Sequence, residues 1–196
     1  MKIKEISPKL QLNMDEYAET WCSVITSYYW KGLEPDITDK ELHLSDEGIL
    51  KYSMELAAVE LVIAIRVLKN RIRLNDEIQK KLTDTIIGKL YTDLYSEAKL
   101  QFKEDFISFF NSKYDIFNEV CTNLADKDAK KRQPELIGLA RYIVAQISDS
   151  PEKQNVKVIE KLSLIFMDTA ATCLRLAQNS ACENPILGKT KFIVQK

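Results

Sequence analysis

Carboxylates are the most abundant reactive groups in this chain, and a single histidine limits what they can be combined with. Glu16 and Glu19 are three residues apart, so on a helix they share a face. Asp36 and Asp39 repeat that spacing, and Glu55 and Glu60 follow, with Glu60 inside the apolar run 56–65. A Mg²⁺ or Mn²⁺ ion takes one or two protein carboxylates and completes its shell with water and substrate phosphates. Glu16, Glu19 and Glu60 are therefore the candidate ligands of a metal-assisted hydrolase or other nucleotide-handling enzyme. The pattern is incomplete, because Glu16-x-x-Glu19 has no ExxD counterpart anywhere in the chain. The plainer expectation is a solvated first helical turn for Glu16 and Glu19, and for Glu60 a partly buried acid paired with a Lys or Arg.

Other catalytic chemistry finds less support. His43 is the only imidazole and lies in an acidic connection, so a Ser-His-Asp or Cys-His site has one candidate and no nucleophile context around it. A di-iron bundle needs a Glu-x-x-His from each of two helices, which one histidine cannot supply. The five glycines stand alone and build neither a phosphate loop nor a dinucleotide fingerprint. Cys22, Cys121, Cys173 and Cys182 form no CxxC pair, and the first three fall on apolar faces as inert core thiols. No cofactor is expected.

Binding chemistry is better represented. Tyr28-Tyr29-Trp30 closes the first helix, and three consecutive aromatics cannot all face one core. Tyr28 continues the stripe of Trp21 and Ile25, which leaves Tyr29 and Trp30 as the candidate anchors for a partner. The densest basic patch is Lys127, Lys130, Lys131 and Arg132. Asp126 and Asp128 interrupt it and no aromatic residue interleaves it, so it reads as a solvated loop rather than a phosphate-binding surface.

The elements that must position these residues are helices. Asn13 is a good N-cap for a first helix whose apolar stripe runs Tyr17, Ala18, Trp21, Cys22, Ile25, Tyr28, with Gly32 as a C′ residue. Residues 33–46 read as an acidic connection with one short helical turn. The second long helix starts near Ser45 or Asp46 and is apolar around most of its circumference from Leu56 to Leu68, the profile of a central helix. Asn75 or Asp76 caps the next, with Ile78, Leu82, Ile86, Leu90 and Leu94 in a stripe. Helical character then persists to about Leu124, far too long for one compact helix, so breaks are expected near 96–103 and at the capping-box variant Ser112-Lys113-Tyr114-Asp115. Residues 126–133 read as a charged loop, with Pro134 at N1 of the following helix and Asp149-Ser150-Pro151 at its end. The last helix spans about 155–178. Ile3, Ile6, Leu10 and Leu12 read as a short extended segment broken by Pro8, and Lys191-Phe192-Ile193-Val194, after Pro185 and Gly188, as a similar piece; the two ends are expected to pair as a small ribbon, or else residues 1–12 and 185–196 are loose termini.

These elements imply a single all-α domain over residues 1–196, a bundle of six to seven helices with the nearly all-apolar second helix at its centre. Apolar residues make up 45% of the chain and charged residues 29%, ordinary values for a globular protein. Net charge is −1, but residues 1–60 carry 6 Lys/Arg against 12 Asp/Glu, so the front is acidic and the remainder mildly basic. No apolar run is long enough to span a bilayer, and the N-terminus lacks a secretory h-region. The expectation is a reduced, cytoplasmic protein that is not an enzyme and acts by binding another macromolecule. The partner expected is a protein, including a second copy of the chain, rather than nucleic acid or membrane. The carboxylate enzyme and a small-ligand sensor with an apolar pocket are the alternatives.

Overall fold

The computed structural model describes residues 9–38, 40–95, 102–147, 155–183 and 190–195. The elements run β1 (Lys9–Leu12), α1 (Met14–Gly32), α2 (Pro35–Thr38), α3 (Asp46–Arg71), α4 (Asp76–Tyr95), α5 (Phe102–Val120), α6 (Ala129–Ile147), α7 (Val156–Gln178), β2 (Ser180–Glu183) and β3 (Lys191–Gln195). This is the all-α bundle expected, with one small sheet added. The helices start where side chains can satisfy free backbone N–H groups. Asn13 Oδ1 accepts from Glu16 N at 3.0 Å while Glu16 Oε2 accepts from Asn13 N at 2.7 Å, a reciprocal capping box. Ser45, Asn75 and Asn155 accept in the same way from Gly48, Ile78 and Val158.

The short α2 makes the central helix the third in order. From Tyr52 to Leu68 every residue of α3 is buried except Met54 and Arg66, which are half-buried. A helix apolar on all sides must be covered on all sides, and α3 contacts α1, α4, α5, α6 and α7. Gly32 is the last residue of α1 rather than a left-handed cap, with Leu33 in the cap position. Its role is close approach: a Cβ there would run into the Leu56 side chain. The Gly32 carbonyl in turn accepts from Tyr52 Oη at 2.7 Å.

Three local expectations are corrected. No break occurs at 112–115, and α5 runs through it. The Ser112 hydroxyl donates to the Phe109 carbonyl at 2.7 Å, so it bonds back within the helix instead of capping a new one. Helix α6 starts at Ala129, so Pro134 lies inside it and residues 129–133 are helical, not loop. Asp128 begins that helix, its Oδ1 accepting from Lys130 N at 2.9 Å. The break placed at 96–103 lies largely outside the described residues, with α5 beginning at Phe102; the helix end at 149–151 also lies outside them, as do Ile3, Ile6, Pro8, Asp39, Pro185 and Gly188.

The terminal ribbon is present and larger than expected. Strand β3 lies between β1 and β2, antiparallel to both, with Leu12 and Cys182 each opposite Phe192. The added strand β2 follows α7 directly. Phe192 is fully buried and stacks on Tyr17 of α1 with ring centroids 4.1 Å apart, which fastens the sheet to the bundle. Phe192→Ala is expected to cost about 3 kcal/mol of unfolding free energy, within the usual range for a buried Phe→Ala. Urea unfolding measures this, and a loss below about 1 kcal/mol would show that the sheet is not fastened this way.

Candidate functional site

The aromatic end of α1 is divided three ways by the bundle. Tyr28 is half-buried, its Oη 2.8 Å from Thr172 Oγ1 of α7, with Lys31 Nζ 4.4 Å from its ring centroid. Tyr29 is buried, 3% exposed, and lies by Ser53 and Tyr95, so it is removed from the partner-facing set proposed from sequence. The three-residue displacement between Tyr29 and Gly32 puts both on the α3 side, which the stripe through Tyr28 did not show. Trp30 is 56% exposed and holds its ring edge-on to Tyr29, centroids 5.1 Å apart. It is therefore braced by the core without entering it.

Lys31, next in the chain, lines a groove of about 280 Å³ between α1, α2 and α7. Ile37, Ile165 and Leu164 form its apolar part, and Leu164 is 61% exposed. Lys161 Nζ donates to the Asp36 carbonyl at 3.3 Å across the groove and ties α7 to α2. Leu164 was not singled out from sequence. The only available signal was a leucine on the polar side of the α7 stripe.

The carboxylates go to separate places. Glu16 is used in the α1 cap, and Glu19 Oε2 accepts from Lys89 Nζ of α4 at 2.9 Å. Asp36 pairs with Lys40 at 2.6 Å on the surface. Glu55 is buried and forms an ion pair with Lys113 at 2.7 Å, and Lys113 also donates to Tyr142 Oη. Burial pulls the Lys113 pKa down, but its bonds to Glu55 and Tyr142 outweigh that and the net direction is up. Among the described residues no group of three or more His, Cys, Asp or Glu side chains stands where it could hold a metal ion.

Glu60 departs most from expectation. It is fully buried in α3, and among the described residues neither carboxylate oxygen has a hydrogen-bond donor and no Lys or Arg pairs with it. Tyr52, Thr169 and Cys173 are its polar neighbours. The Thr169 hydroxyl already donates to the Ile165 carbonyl at 3.0 Å. Desolvation raises the Glu60 pKa to about 8, opposed only in part by Thr169 and by the charge of Lys31. At neutral pH the protonated acid predominates, which removes the cost of an unpaired buried charge.

The basic patch is also divided. Lys130 is exposed, and Lys131 Nζ lies 3.6 Å from Asp126 Oδ2. Arg132 is buried and donates to the Asp126 carbonyl, so it belongs to the loop's internal bonding rather than to a surface patch. Arg71 of α3 holds the same loop by donating to the Ala125 carbonyl. His43 is exposed with φ +50°, a left-handed conformation at the turn before α3. Cys22, Cys121 and Cys173 are buried and Cys182 is half-buried. Burial pushes the Cys22 thiol up to about 12 and Cys121 to about 11, away from reactive thiolates.

No known protein family, curated protein or solved structure matches this chain. The geometry offers two separate features at this end of α1: an exposed indole braced against Tyr29, and a small, partly apolar groove lined by the next residue, Lys31.

The Glu60 environment sets a pH dependence. The folded-state pKa, about 8, lies above the ordinary value of 4.5. Between those values the unfolded chain loses its proton while the folded chain keeps it, so folding stability declines as pH rises from 4.5 to about 8 and then levels off. The slope attributable to this group approaches about 1.4 kcal/mol per pH unit. Glu60→Gln should remove that decline and exceed the unaltered protein in stability at the alkaline end. Urea unfolding across this range tests both, and identical pH profiles for the two proteins would show that Glu60 does not keep its proton.

Proposed function

We propose that this protein is not an enzyme and acts by binding another protein through an interface that takes in the exposed Trp30 and the α1–α2–α7 groove lined by its chain neighbour Lys31. The observation that carries the reading is the exposed Trp30 ring. An indole left 56% exposed gains little from folding, and its contact with Tyr29 holds it in place before any partner arrives. Pre-ordered aromatic side chains are the residues that most often dominate binding energy at interfaces.

The groove supplies the second half of such an interface. Its apolar part, with Leu164, suits one inserted aliphatic or aromatic side chain from the partner. Lys31 and Lys161 stand on its rim with Glu34 and Asp36, so the edge is polar and mixed in charge, as the rim of a reversible interface is. The expected partner therefore presents an apolar side chain flanked by charges of both signs.

Trp30→Ala and Leu164→Ser should each weaken partner binding by about 2 kcal/mol while shifting the melting temperature little. Ile116, 51% exposed on α5, provides the control Ile116→Ser, which should retain binding. Pull-down from the native host followed by titration of the recovered partner measures this. Equal loss in all three variants, or binding untouched by the first two, would overturn the proposal. A large stability loss in Trp30→Ala would instead assign the ring to the core.

A further inference from the structure

Helices α3, α4 and α5 enclose a second, larger cleft of about 430 Å³, within the size range of small-molecule sites. It shares no lining residue with the α1–α2–α7 groove. Its floor is apolar, made by Ile65 of α3, Ile87 of α4 and Phe110 of α5, each nearly fully buried. Its rim is ionic. Lys80 and Asp84 there neutralise each other at 3.0 Å.

Two rim charges of opposite sign remain. Lys69 has no carboxylate within ion-pair distance among the described residues, and Asp76 has no cation. Lys69 is nonetheless held in place: its Nζ donates to Tyr114 Oη at 2.8 Å and lies 4.6 Å from the Tyr114 ring centroid. An ammonium carries three N–H donors, so two remain for a ligand. Lys69 comes from the end of α3 and Asp76 from the start of α4, and both open onto the one cleft.

We propose that the α3–α4–α5 cleft binds a small zwitterion with an apolar side chain, a free apolar amino acid or short apolar peptide, with its carboxylate on Lys69, its ammonium on Asp76 and its side chain on the Ile65–Ile87–Phe110 floor. The balance of rim charge favours a ligand with one charge of each sign over a simple fatty acid or amine, which would leave one rim group without a counter-charge. The apolar floor favours leucine- or phenylalanine-like side chains over polar ones.

Calorimetric titration of the full chain with leucine, phenylalanine and Leu-Phe tests this, with hexanoate and hexylamine as analogues that each carry one charge. Saturable binding of at least one zwitterion is expected, with the amide resonances of α3, α4 and α5 shifting on titration. Lys69→Met and Asp76→Asn should each weaken it by about tenfold or more, as loss of a charge-assisted contact does. Both positions are on the rim, so their melting temperatures should stay near that of the unaltered protein. No binding of any of the three zwitterions, equal binding of the single-charge analogues, or affinity that survives both substitutions would overturn the proposal. The Trp30 reading is untouched by any of these outcomes.

Discussion

Burial of α3 is the constraint on which the rest of the structure depends. From Tyr52 to Leu68 this helix presents apolar surface in every direction, and one neighbouring helix covers only part of a helix's circumference. Five helices are needed, and α1, α4, α5, α6 and α7 supply them. The close approach at Gly32 and Leu56, the Tyr52 bond to the end of α1, and the Arg71 bond to the 121–128 connection all fasten this wrapping at its ends. The small sheet is a separate fastening, in which Phe192 brings residues near the end of the chain onto Tyr17 near its start.

Two buried carboxylates on α3 show two solutions to one electrostatic problem. Glu55 meets a cation: Lys113 crosses from α5 to pair with it, and Tyr142 of α6 joins the same ammonium. Glu60, little more than one turn further on, has no cation paired with it among the described residues, and burial keeps its proton on instead. The first solution ties three helices together through a specific geometry. The second leaves the α3–α7 seam dependent on a proton, because Thr169 and Cys173 of α7 offer no counter-charge.

The surface follows from what the wrapping leaves over. Each helix around α3 turns its apolar stripe inward, so among the described residues large apolar groups pointing outward are few. Trp30 and Leu164 are two of them, and the proposed protein-binding interface takes in both. The second cleft lies among α3, α4 and α5, and its amphipathic character comes from combining buried apolar residues of the three helices with charged residues of α3 and α4 at its rim.

The sequence by itself determined the helical class, the central position of the most apolar helix, and most helix starts. Those properties depend on patterns within a few residues: a cap side chain bonds to an N–H three positions on, and an apolar stripe repeats every turn. The same locality explains the errors. Ser112 reads as a cap until its hydroxyl is seen bonding back within α5, and Pro134 reads as a first helical residue until Asp128 is seen starting α6 earlier. That the two ends pair as a ribbon was legible because both carry short β-prone stretches, but which residues pair (9–12 with 192–195) and the added strand β2 directly behind α7 were not. Only the tertiary structure decided which of Tyr29 and Trp30 is exposed, which carboxylate finds a cation, and where clefts open. Each of those depends on residues far apart in the chain, such as Glu55 with Lys113 or Lys69 with Tyr114. Packing sets such distances, and no local pattern encodes them.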